Sequence, residues 1–194
     1  MIEYLDFISP ISFEDRKDID AISFGYHINN FDFPTFHGHK DYWEFTILTD
    51  GALENRLNDK SYYCSKNTLF YATTKDTHAL FKKGEAKPRY INILVKENKI
   101  EELLKAISPS LEEKLLKGPH CLPVSNELVL QIDSLVHRAN LEFGYKRGTN
   151  DLIGAAVLLI LQHLFLETID AEESKPTFEL AVNKLSLDAS FLSY

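Results

Sequence analysis

Four side chains in this sequence have the types and spacing to do chemistry. His37, His39 and Glu44 fall in the run Phe-His-Gly-His-Lys-Asp-Tyr-Trp-Glu-Phe-Thr-Ile-Leu-Thr-Asp-Gly, and His78 stands alone further on. Imidazole and carboxylate donors together suit a divalent transition metal such as zinc, nickel, manganese or iron, so the four are candidate metal ligands. The same groups can instead hold a small polar molecule by hydrogen bonds, with no metal. The residues alone leave both readings open.

Something must bring the four together. Histidines one residue apart on a strand project to the same side of it. Lys40-Asp41 is a turn signal, and a strand carrying Glu44 can swing the carboxylate back toward the pair before Asp50-Gly51 closes it. Across residues 21–96 short runs rich in Phe, Tyr, Ile, Leu and Thr alternate with turn formers: Asn29-Asn30, Lys40-Asp41, Asp50-Gly51, Asn58-Asp59, Lys66-Asn67 and Lys83-Gly84. That spacing predicts a β-sandwich or barrel. Residues 1–20, interrupted by Pro10, read as an arm or an edge strand.

Aromatic residues crowd the same half: Tyr26, Phe36, Trp43, Tyr62, Tyr63, Phe70 and Tyr71. Ring faces and a few polar groups make a sugar pocket plausible. Trp43, Tyr71 and Tyr26 therefore join His37, His39, Glu44 and His78 as candidate ligand-binding residues, with His27 at the mouth; barrel core is the alternative for any one ring. His120, His137 and His163 read as structural or surface residues.

Beyond residue 96 the period changes. Ile100, Leu103, Leu104 and Ile107 mark a helix over 97–107. After a loop at 118–123, Ser125 can cap a second helix with a stripe of Leu128, Ile132, Leu135, Val136, Ala139 and Phe143. A third runs from Thr149 or Asn150 to about Glu167 and is apolar nearly all round over 152–161. Such a helix needs cover on more than one side. The antiparallel pair is expected to build a homodimer through Leu152, Ile153, Ala156, Leu159, Ile160 and His163, the alternative being a central helix within one chain.

Composition bounds the rest. With 194 residues, 44% of them hydrophobic, the chain can bury a core and carry an appendage. Its 21 Lys and Arg against 29 Asp and Glu give a net charge of -8, which disfavours direct contact with phosphate backbones. The N-terminus lacks a signal peptide's basic start and apolar run, and the apolar run 152–161 is too short to span a bilayer, so a cytoplasmic protein without a membrane contact is expected. Cys64 and Cys121 have no metal-type spacing and read as reduced thiols. No Ser-His-Asp or Cys-His arrangement and no phosphate-cradling loop can be argued.

The pattern His-x-His, four residues, Glu, six residues, Gly is similar to the first cupin motif, and His78 falls where a second would place its histidine. That second motif departs from type at Lys66, Ala72 and Lys82. With Tyr42-Trp43-Glu44-Phe45-Thr46, Gly51, the Lys66-to-Ala72 segment and the helical pair, residues 31–167 resemble the N-terminal half of an AraC-type transcription regulator, the Tyr-Trp-Glu-Phe-Thr stretch being nearest the chitobiose-regulator branch. The resemblance implies a mainly β fold with α: a cupin-like double-stranded β-helix (jelly-roll) barrel followed by an antiparallel helical pair. It implies an arm at 1–20, a barrel at 21–96, a dimerisation segment at 97–168, and at 169–194 a linker leading into a DNA-binding half that is missing or truncated here. It also implies an effector, a sugar by this branch, and DNA contact through that other half. The alternative is a small cupin metalloenzyme, a dioxygenase or isomerase, using His37, His39, Glu44 and His78.

Overall fold

The computed structural model describes residues 2–6, 23–29, 34–142 and 149–170. Among the described residues ten strands form two five-stranded sheets: β1 (Glu3–Leu5), β2 (Phe24–Asn29), β3 (His37–His39), β4 (Tyr42–Asp50), β5 (Ala52–Leu57), β6 (Lys60–Ser65), β7 (Thr68–Ala72), β8 (Thr77–Lys83), β9 (Arg89–Lys96) and β10 (Cys121–Pro123). Their orders are β1-β3-β8-β5-β6 and β10-β7-β4-β9-β2. From β3 to β9 the chain passes back and forth between the sheets, staying in one only for the β5–β6 hairpin. That is jelly-roll winding, and the barrel is cupin-like.

The turns fall where turn formers stand. Gly51, at φ +74, sits between β4 and β5, and a Cβ there would lie 3.0 Å from Pro88 Cα. Only a residue without a side chain meets both demands cheaply. Asn58 adopts φ +51 in the β5–β6 turn, and its amide spans to the β7–β8 loop, donating to Asp76 Oδ1 (2.7 Å) and accepting from the Thr77 N–H (3.0 Å).

The two sheets differ in what covers them. In β5, buried Leu53, Asn55 and Leu57 alternate with less buried neighbours, as in a strand with one face toward water. By contrast β4, β7 and β9 are buried almost throughout. Helices explain this: α1 (Glu97–Ile107), α2 (Leu111–Lys117), α3 (Asn126–Glu142) and α4 (Thr149–Asp170) cover the second sheet's outer face. Period-two alternation then sorts that sheet. Trp43, Phe45, Ile47, Leu69, Tyr71, Ile91, Ile93 and Val95 pack with the helices, whereas Leu48, Phe70 and Tyr90 pack inside the barrel against Leu53, Cys64 and Leu80 of the first sheet.

The first helix lies where periodicity put it, and Ser125 Oγ caps α3 by accepting the Leu128 N–H at 3.1 Å. The segment read as a loop contributes more: β10 pairs with β7 along Cys121–Pro123, and α2 precedes it. Both are short, and short elements give weak periodicity. Glu3–Leu5 forms an edge strand parallel to β3. The rest of the expected arm (7–20), Phe143 and residues 171–194 lie outside the described residues.

Three of the six expected dimer contacts are core residues of the chain itself. Ile153, Ala156 and Ile160 are fully buried in the chain's own core, and Leu152 and Leu159 pack against it. His163 Nε2 lies 3.3 Å from the Pro123 carbonyl. Gly154 shows how closely the helix sits: a Cβ there would meet the Phe24 ring at 3.2 Å. Cover for the apolar circumference comes from β2 and the other three helices, leaving Leu158 and Leu166 exposed. Residues Asn150–Ile169 also form one helix long and apolar enough to cross a membrane, a length that the interrupted apolar run concealed. Its buried face is spent on the sheet and helices.

Candidate metal centre inside the barrel

Three strands assemble the site. β3 presents His37 and His39 on one side, with Gly38 facing the other way beneath Tyr4, whose ring atom Cε1 would lie 2.7 Å from a Cβ at that position. The antiparallel β3–β8 pairing sets His37 opposite His78, ring centroids 4.4 Å apart, and the His39 ring lies 5.2 Å from that of His78. From the facing sheet, β4 supplies Glu44, whose Oε2 lies 3.9 Å from His39 Nε2 and whose Oε1 lies 3.7 Å from His78 Nε2. The four expected ligands converge, and all are buried.

Polar satisfaction shows what the cluster lacks. His37 Nδ1–H donates to the Thr35 carbonyl at 3.0 Å, which leaves Nε2 as its lone-pair nitrogen. His39 and His78 have no hydrogen-bond partner at either ring nitrogen, although these atoms are sealed from solvent. Buried polar atoms are almost always paired, because an unpaired one costs about 1–3 kcal/mol. One nitrogen from each of the three histidines lies within 4.8 Å of the others. Donors at roughly 2.1 Å from one ion stand about 3.0–3.5 Å apart, so the separations to Glu44 are a few tenths of an ångström wider than a closed shell. The donor set fits a divalent transition metal, and the fold and cluster together could hold one.

Electrostatics support the same reading. Burial holds His39 down to about 3, aided by the neighbouring His37, and holds His37 and His78 below the usual imidazole range. The imidazoles are therefore neutral, which is the ligating form. Burial raises Glu44 to about 7, opposed by its contact with Thr46. Thr46 Oγ1 lies 3.2 Å from Glu44 Oε1 and 2.8 Å from Asn92 Oδ1, so its one proton serves one acceptor at a time.

Three expected ligand-binding residues are elsewhere. Trp43 neighbours Glu44 in β4 and so faces the opposite side; its ring stacks 6.4 Å from Tyr71 among the helices. Tyr71 donates its hydroxyl to the Leu115 carbonyl of α2 at 2.9 Å, and Tyr26 donates to Asn140 Oδ1 of α3 at 3.1 Å. All three build the sheet–helix core. His27 pairs across the ladder with Asn92 and shares its face.

Sequence reasoning missed the inward polar residues Thr46, Asn92 and Asn55, and Tyr42, whose ring stacks on His39 at 4.4 Å. Thr46 carried a signal, standing two positions from Glu44 on the same strand. Asn55 is fully buried with both amide atoms unpaired.

No protein-family model matches the chain, and no curated protein matches it. Among solved structures it is similar to KdgF from Halomonas sp. (17% identity, 38% of this chain and 70% of that one, TM-score 0.35). It is also similar to the Cnp3 cupin domain of Schizosaccharomyces pombe (13%, 46% and 64%, TM-score 0.37) and to a predicted oxalate decarboxylase from Thermotoga maritima (10%, 42% and 74%, TM-score 0.36). The chain thus covers less than two thirds of the Cnp3 domain. Each likeness extends over less than half of this chain, and the strand order itself defines the barrel.

Proposed function

We propose that this chain is the effector-sensing half of an AraC-type transcription regulator, and that its barrel holds a small oxygen-rich effector at a divalent transition metal bound by His37, His39, His78 and Glu44. The observation that supports the metal is the pair of sealed imidazoles of His39 and His78, whose ring nitrogens have no hydrogen-bond partner. When bound, the metal supplies a positive charge that attracts and polarises a ligand oxygen. The protein does the rest: β3 and β8 fix the rings, the Thr35 carbonyl sets the His37 tautomer, and Thr46 and Asn92 offer hydrogen bonds beside Glu44. A sugar or sugar acid is the effector class the resemblance implies. With Trp43, Tyr71 and Tyr26 turned outward, recognition falls to hydrogen bonds and to Tyr42 rather than to those rings.

The helices suit the sensing role. Their packing on the second sheet's outer face sets Trp43, in contact with the helical core, beside Glu44 in the chamber, so a shift of β4 reaches both. Effector changes the equilibrium only by binding one arrangement better than another. Residues 1–20, whose Glu3–Leu5 pairs with the ligand strand β3, are expected to close over the barrel when effector binds. Limited proteolysis with and without effector tests this: protection of the arm is expected, and equal cleavage counts against it.

One observation favours the second reading, a small metalloenzyme. Were the metal held by His37, His39 and His78 alone, the buried Glu44 carboxyl beside it, raised to about 7 by burial, could give or take a proton at neutral pH. Turnover of a sugar or sugar acid by metal-loaded protein, abolished in Glu44→Gln, would favour the enzyme. Saturable binding without turnover favours the sensor.

A further inference from the structure

β6 and β10 are the terminal strands of their respective sheets, and each brings one cysteine to that edge. Cys64 stands opposite Leu53 in the β5–β6 ladder, and Cys121 opposite Phe70 in the β10–β7 ladder. The two Sγ atoms lie 3.6 Å apart. Cys64 is sealed among Leu48, Leu53, Phe70, Leu80 and Tyr90, whereas Cys121 is partly exposed. A reagent from solvent therefore meets Cys121 first.

We propose that Cys64 and Cys121 are a reversible oxidation site, at which a hydroperoxide forms an intramolecular disulfide that fastens the β6 edge to the β10 edge. The Cys121 thiolate attacks a peroxide oxygen; the O–O bond breaks, Cys121 becomes a sulfenic acid, and the leaving oxygen takes up a proton as water or an alcohol. The Cys64 sulfur then attacks the sulfenic sulfur. An S–S bond forms, the S–O bond breaks, and the hydroxide leaves as water with the Cys64 proton. Two electrons pass from the thiols to the peroxide.

The geometry is close to what the bond needs. A disulfide sets its sulfurs about 2.05 Å apart, so the pair must close by about 1.6 Å, which modest side-chain rotation on two edge strands can supply. The contact between the two sulfurs lowers the Cys121 thiol from its usual range, and the same contact with burial raises Cys64. Exposure sets the order: Cys121, partly open to solvent, is the attacking thiol, and sealed Cys64 the resolving one. Because β10 lies between α2 and α3, and its Pro123 carbonyl meets His163 of α4, the bond would tie the helical layer to the first sheet.

Treating the purified full chain with a small excess of hydrogen peroxide, then denaturing it and alkylating free thiols, tests this by intact-mass and peptide analysis. The expected product is a monomer lighter by two hydrogens, with a Cys64–Cys121 cross-linked peptide that dithiothreitol reverses. Cys64→Ala should instead trap a sulfenic acid on Cys121 that dimedone captures, and Cys121→Ser should leave Cys64 unmodified. Over-oxidised or intermolecularly bridged Cys121 with Cys64 still free in the unsubstituted protein overturns the proposal. So does finding both thiols free after peroxide.

Discussion

His37 and His78 face each other as direct partners in the β3–β8 ladder, with ring centroids 4.4 Å apart. A one-residue slip in that register would turn one of them out of the chamber. Register is held in part by Asn58, whose amide bonds Asp76 and Thr77 at the start of β8. The site is therefore a consequence of how a turn residue locks a strand.

The Glu44 carboxyl, raised to about 7 by burial, must lose its proton to serve as a metal ligand. Metal affinity should rise as pH increases through 7 and level off above it. Glu44→Gln should weaken binding about tenfold or more and remove that rise. Metal titrations at several pH values check this.

Acid sensitivity of the metal-free protein follows from the same burial. His39 and His78 titrate below 6.5 when folded, so below 6.5 the unfolded chain binds more protons and stability falls with pH. Each group contributes a slope of up to about 1.4 kcal/mol per pH unit, present until its folded value is reached. Glu44 acts in the opposite sense: its folded value lies above the model-peptide one, so its contribution is full below about 4.5 and lost as pH rises through 7. The acid loss should therefore steepen below about 4.5. Denaturant unfolding of the His39→Leu/His78→Leu variant should show a shallower slope between pH 6.5 and 5; parallel curves would contradict this.

Changes to the outward rings should affect stability and spare the site. Tyr71→Phe removes the bond to the Leu115 carbonyl and should cost about 1 kcal/mol. Trp43→Ala opens a cavity in the sheet–helix core and should cost about 3–5 kcal/mol. Metal affinity measured on the folded fraction should stay within about twofold. Loss of binding by Tyr71→Phe at unchanged stability would return that ring to the chamber.

Gly51→Ala forces an alanine to φ +74 and a Cβ toward Pro88, and should cost about 1–3 kcal/mol by thermal or denaturant unfolding. A neutral result would show that the turn adapts.

Much of the site was readable because a strand's period is two: His37 and His39 had to share a side, and Glu44, beyond one turn, could return toward them. The same rule, applied to Trp43, excludes it from any chamber that holds Glu44. Tyr26 and Tyr71 needed more, since their sides depend on register with β9 and β4, which one sequence does not display. Asn55 and Asn92 escaped notice for that reason, and because amides are unremarkable until they are buried. The apolar helix was legible as a helix needing cover; that Ile153, Ala156 and Ile160 would find it within their own chain depended on α2 and on the sheet's second buried face.

The most direct test is the metal content of protein purified without added metal, read by elemental analysis and repeated on His37→Ala/His39→Ala and on His78→Ala. Near-stoichiometric transition metal in the unsubstituted protein, absent from folded variants, is the predicted result. Unsubstituted protein that stays metal-free and takes up none of zinc, nickel, manganese or iron on titration would contradict it.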